Sequence, residues 1–400
     1  YFQSDVQRVY HNMASVTSNQ YRTKVHPLFP IIAHPIYVGV VKALRLDVVH
    51  NFGAGLLASR IVSSIVAAVT MAAMFALLRI VSLRRLDAVI FCLLGAVCSF
   101  SVFWFSVPEC YPWGALSVLI ALIVVAVDCR RPLSAWWYWL ASGLTLAFTT
   151  TNWMVGWLAL FSKYPWRRVL QWSINIFFVV TVLWSVQRLI FRSSRYFTEI
   201  GEERKYVMNR DSGGPRGVAR SFFYHTVVMP KLVYLPGDRP DALNKINMTT
   251  QLSGIGSTGL VGHVAAVAWA LLLIAGLYGW LTIPDFWTWK VVLLLSLLGQ
   301  LTLHLLYGDE TFLYAAHFGP MLIALAALGA RTPLRPAVLG LAGVTIVCCA
   351  WNNLAVFRET MAFIPTTRHR VVIHPVPLHH EEPLPTTMPA PAPMGYERLP

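Results

Sequence analysis

Residues 50–82, HNFGAGLLASRIVSSIVAAVTMAAMFALLRIVS, decide the fold. Between Asn51 and Arg79 only Arg60 is charged, and the apolar residues do not alternate as a half-buried strand requires. A helix rises about 1.5 Å per residue, so a run of this length exceeds a hydrocarbon core of roughly 30 Å. Outward from it the same signal repeats at 86–107, 111–128, 135–161, 169–191, 262–283, 287–307, 311–330 and 336–357. With 56% hydrophobic and 12% charged residues, the expectation is an all-α integral membrane protein, a polytopic helical bundle with outer-face loops and surface helices. No β-barrel alternation competes with it.

Five regions follow: a first outer loop at 1–49, an N-terminal transmembrane bundle at 50–191, a large basic outer loop at 192–261, a C-terminal bundle at 262–357 and a proline-rich, disordered tail at 358–400. Trp136, Trp137, Tyr138 and Trp139 stand near a block end, as interfacial anchors do. Of the six cysteines, most lie inside spans without metal-ligand spacing and read as small apolar fillers. The chain opens without an initiator Met on YFQS, which also matches the end of a protease-cleavage sequence. From the absent initiator Met and signal peptide, a transmembrane helix ahead of residue 1 is expected; the alternative reading of YFQS is a scar left by a tag.

Orientation comes from the short basic loops. Those holding Arg79, Arg84 and Arg85, then Arg130 and Arg131, then Arg331 and Arg335, belong inside. The loop with Lys163, Arg167 and Arg168 joins them only if block 135–161 goes out and returns as a hairpin broken at TTTNW, residues 149–153. Irregular backbone at that depth needs protein or a water-filled cavity around it, which places a cavity near Asn152. Residues 1–47, the PECYP link at 108–112 and the YGDE link at 307–310 then share the outer face. HPLFPIIAHPIYVGVVKAL, apolar but proline-interrupted, reads as a helix lying along the membrane surface. The basic excess of loop 192–261 suits a phosphate-bearing ligand or anionic lipid headgroups. Arg60, inside the first block, is expected to pair within the bundle, the alternative being a mid-membrane pathway residue.

Carboxylates gather at that outer rim: Asp5 in SDVQR, Glu109 in VPECYP, and Asp309 with Glu310 in YGDETFLY. Beside apolar blocks, ionised acids are costly unless paired or working. A carboxylate there deprotonates an acceptor hydroxyl, ligates a divalent cation or pairs with an arginine, and the pattern is compatible with all three. No cofactor is specified beyond that open cation. His26, Tyr111, Asn152, Tyr307, Tyr314 and His317 add hydrogen-bonding and aromatic surface to the same face, and Arg8 adds charge. Alternatively, YGDE is only a helix start, with Asp309 as its N-cap.

An early Asp in the first outer loop, a surface helix, a PE-aromatic link, an Asn-bearing broken segment, a long central outer loop and a late acidic-FLY motif together resemble the GT-C superfamily of polytopic glycosyltransferases. The likeness covers about residues 1–330 and is closest to bacterial aminoarabinose, O-mannosyl and Rgt-type transferases. It rests on layout, with loose motifs. The resemblance implies a polyprenyl-phosphate sugar as donor, an acceptor on the periplasmic or extracytoplasmic face, and a place in the bacterial inner (plasma) membrane, with membrane lipid and no nucleic acid as partner. It implies Asp5 as general base, with Arg8, Arg22, Lys24 or a basic residue of 192–245 near the leaving phosphate. The family's paired-acid motif is replaced by the lone Asp5, so a metal-free inverting displacement is the simpler assumption. A transporter or flippase for a lipid-linked or anionic solute is the competing class.

Overall fold

The computed structural model describes residue 4 and residues 6–199, 206–207, 213–236 and 246–368. Two short helices come first, α1 (Val6–Ala14) and α2 (Phe29–Ala43), joined through a 3-10 turn at Tyr21–Lys24. Pro30 sits in the first turn of α2, where its missing amide breaks no bond, while Pro35 lies inside the helix. At 15 residues, α2 spans only about 22 Å and is too short to cross a bilayer upright.

Asn51 opens the first long helix, α3 (Phe52–Ile80), its side chain accepting from the Ala54 amide at 3.1 Å. There follow α4 (Arg85–Val97), α5 (Ser99–Trp104), α6 (Tyr111–Asp128), α7 (Ala135–Phe148), α8 (Trp153–Phe161), α9 (Trp166–Ile190) and α10 (Gly214–Arg220). A small antiparallel hairpin, β1 (Val233–Pro236) with β2 (Ile246–Thr249), precedes α11 (Gly259–Thr282), α12 (Trp287–Leu306), α13 (Ala315–Ala327) and α14 (Arg335–Arg368). Seven segments among the described residues are long and apolar enough to cross a membrane. The chain is an all-α, multi-pass membrane protein.

α13 is buried along its whole length and forms the axis of the bundle. Small residues on α11 let the backbones close on it: a Cβ at Gly276 would strike Leu325 O, and one at Gly279 would lie 2.6 Å from Leu328 O. α9 lies at the edge, with Phe178 66% and Leu189 79% exposed to the lipid side.

The basic loops meet at one end. Lys163 Nζ donates to Asp128 Oδ1 at 2.6 Å and to Leu133 O at 2.7 Å, Arg130 Nη2 to Ser82 Oγ at 2.7 Å, and Arg335 to both oxygens of Asp87 at 2.9 and 2.6 Å. α7 and α8 therefore leave from and return to the same end, broken at Thr150–Asn152, as the charge pattern requires. Trp153 Nε1 donates across the hairpin to Ser142 Oγ at 3.2 Å.

Four expectations are corrected. Block 86–107 is two helices bent at Cys98, and the bend is held from far away: Ser99 N and Phe100 N donate to Val227 O and Thr226 O, both at 3.1 Å. Loop 192–261 is accordingly more than an outer loop, since Thr226, Val227, Val228 and Met229 run into the bundle and are wholly buried. Asn353 of α14 clamps them, donating to Val97 O and Val227 O at 2.8 Å and accepting from Met229 N at 2.8 Å. Arg60 is exposed and makes no ion pair among the described residues, so its long side chain reaches outward instead of pairing inside. α14 continues through residues 358–368, which were expected to be tail; the rest of the tail lies outside the described residues.

Candidate functional site

The segment before α3 folds onto the break between α7 and α8. Leu28 N donates to Ala147 O and Thr150 N to Val25 O, both at 3.0 Å, and His26 Nδ1 meets Phe148 O at 2.8 Å. A helix that stops inside a bundle leaves polar backbone groups without partners, and residues 25–28 supply them. Burial, then the charge of Arg22, pushes the His26 imidazole down to about 3, so the ring is neutral and donates through Nδ1.

Asn152, fully buried at the break, donates through Nδ2 to Gly114 O at 3.4 Å and accepts from Gln300 Nε2 at 3.2 Å. His317 packs against the same glycine: a Cβ at position 114 would collide with His317 Nε2 and lie 3.0 Å from Asn152 Nδ2. The Tyr111 ring stands 5.7 Å from His317 and 6.1 Å from Tyr314, and His304 stands 5.0 Å from Tyr314. Five expected site residues, His26, Tyr111, Asn152, Tyr314 and His317, thus surround one buried polar cluster. Among the described residues, His317 Nε2 is buried without a hydrogen-bond partner, and His304 is buried beside it. A buried polar group left without a partner costs about 1–3 kcal/mol.

The rim is organised differently from expectation at one residue. Glu310, 4% exposed, has both carboxylate oxygens filled by its own chain: Thr249 Oγ1 and Thr250 N (3.0 Å) donate to Oε2, and Thr250 Oγ1 (2.7 Å) and Phe312 N (3.3 Å) donate to Oε1. Gln251 Oε1 accepts from Thr311 N at 2.7 Å beside it. Glu310 fastens β2 to the start of α13, and it, not Asp309, caps the turn Thr311–Tyr314. Burial pushes its carboxyl up, against the Thr249 and Thr250 donors that hold it down.

Tyr307 and Asp309 are half-buried on the same link, which Gly308 turns with φ +106°, a left-handed conformation that glycine adopts at little cost. Its amide donates to Tyr206 O at 2.9 Å. Glu109 is buried, accepting from the Cys110 amide at 3.2 Å, and its link is pinned where Trp104 Nε1 donates to Phe312 O at 2.8 Å. Arg8 is exposed, its guanidinium 5.6 Å from the Tyr21 ring centre; buried Lys24 lies 3.8 Å from the same centre. Asp5 lies outside the described residues and directly precedes α1 in the sequence. Among the described residues no three His, Cys, Asp or Glu side chains are placed to hold a metal ion.

Sequence reasoning passes over Gln300 and His304. Their signal is present: two polar residues four apart, hence on one face of an otherwise apolar helix. No family model, curated protein or solved structure matches the chain. Fold and site together define a multi-pass, all-α membrane protein with a buried polar cluster where its first segment meets a helix break.

Proposed function

We propose that this chain is a membrane glycosyltransferase of GT-C type, moving a sugar from a polyprenyl-phosphate donor to an acceptor hydroxyl on the outer face. The observation that carries the proposal is the convergence of four separate pieces of sequence on one buried polar cluster. The segment after Asp5, the PECYP link through Tyr111, the Asn152 break and the FLY-bearing segment all contribute side chains to it.

Asp5 takes the proton of the acceptor hydroxyl, and the acceptor oxygen bonds to the sugar's anomeric carbon from the face opposite the lipid phosphate. The anomeric C–O bond to phosphate breaks and the leaving phosphate keeps the electron pair, its charge met by Lys24 and Arg8 gathered at Tyr21. His26, Tyr111, Asn152, Tyr314 and His317 offer neutral hydrogen-bonding groups suited to a polyhydroxylated sugar, with Glu109, Tyr307 and Asp309 at the rim. Glu310 holds the wall together.

The test is sugar release from a radiolabelled panel of polyprenyl-phosphate sugars by the protein in lipid, beside Asp5→Asn. The expected loss is at least about 100-fold with an unchanged melting temperature. Unchanged turnover in Asp5→Asn removes the base assignment, and no release from any donor removes the enzyme class. A second reading, a transporter or flippase for a lipid-linked or anionic solute, draws on the broken helix pair and on His304 and His317 buried between helices.

A further inference from the structure

At the end of the bundle opposite the His26 cluster, a pocket of about 230 Å³ opens between the starts of α4 and α14. Ser82, Arg84, Asp87, Arg331, Thr332 and Arg335 line it. Three arginines therefore face one acid. Arg335 is committed to Asp87 by two bonds, and Arg331 gives Nη2 to Asp285 at 2.7 Å, outside the lining. What remains is unspent: Arg331 Nη1 is buried without a partner, and Arg84 makes no ion pair among the described residues. Ser82 Oγ accepts from Arg130 at 2.7 Å, which leaves its own proton to donate. Two helices, α4 and α14, also begin at this wall and add the positive ends of their dipoles.

We propose that this pocket binds a phosphate-class oxyanion, at a site separate from the cluster under the first segment. Planar guanidinium forks and a hydroxyl match tetrahedral oxyanion oxygens, and the excess of arginine over acid supplies the charge. The proposal is independent of the transfer chemistry. The same chemistry is presented by a free phosphate compound and by a phospholipid headgroup, so the test separates them.

Thermal unfolding of the full chain in detergent is followed in inorganic phosphate against chloride at matched ionic strength. A parallel arm uses short-chain phosphatidic acid against phosphatidylcholine. The variants are Arg84→Gln and, as a control of equal charge change outside the lining, Arg85→Gln. Binding is expected to raise the midpoint by at least about 2 °C. Arg84→Gln should lose at least half of that rise, and Arg85→Gln should keep it. A rise with inorganic phosphate identifies a free ligand, and a rise with phosphatidic acid alone identifies a headgroup. No rise with either ligand, a loss below half in Arg84→Gln, or an equal loss in both variants overturns the proposal.

Discussion

Glu310, Gly114 and His26 show at the residue scale how chemistry and structure divide in this protein. Because Glu310 is saturated by its own chain, we predict that Glu310→Gln lowers stability by about 1–3 kcal/mol, since the Thr250 amide then competes with an amide donor. Turnover per folded molecule should stay within about twofold; calorimetry and a rate on the folded fraction check the pair. Gly114→Ala has the opposite profile, because its methyl enters the space of His317 and Asn152. It should cost about 1–3 kcal/mol through overpacking and reduce turnover beyond the folded fraction. Neutral His26 contributes a pH dependence of definite sign. Its folded value of about 3 lies below the unfolded value of about 6.5, so its contribution is complete above about 6.5 and is lost as pH falls toward 3. Unfolding midpoints between pH 7 and 4 should fall less steeply in His26→Asn, by up to about 1.4 kcal/mol per pH unit.

At the scale of elements, the clamp on the inserted segment is the contact most exposed to test. Asn353→Leu removes three hydrogen bonds at Val97, Val227 and Met229 and should cost about 3 kcal/mol. Limited proteolysis should then cut within residues 213–236, and a wild-type cleavage pattern would deny the clamp its role. The break at Thr150–Asn152 was legible in the sequence because two local signals agreed: a threonine run before Asn152 and basic loops on both flanks of one apolar block. The bend at Cys98 was not legible, since its amides are satisfied by Thr226 and Val227, residues distant in sequence. Likewise the rim acids could be located but not sorted. Whether a carboxylate works or fastens depends on which hydroxyls reach it, and Thr249 and Thr250 reach Glu310 from the far side of the central loop.

Across the whole molecule, the charge pattern and the packing describe the same arrangement, with the arginine-rich loops tied at one end and the polar cluster near the other. In sealed vesicles, with Cys129 replaced by Ser, Ser134→Cys and Arg167→Cys should react with an impermeant thiol reagent from one side and Ser193→Cys from the other. Labelling of Ser134→Cys and Arg167→Cys from opposite sides would mean that α7 and α8 cross as one helix. The spans were legible because apolar length is a local property, whereas the identity of the axial helix was not: α13 is no more apolar than its neighbours, and the glycines of α11 that let its backbone close on α13 help to bring it to the centre. Cleavage of a sugar–phosphate bond at the proposed site is measured by reconstituting the protein in liposomes with a radiolabelled polyprenyl-phosphate sugar and a hydroxyl acceptor, and following transferred sugar and donor translocation together. Transfer without net translocation is expected; translocation with no transfer would exclude the glycosyltransferase.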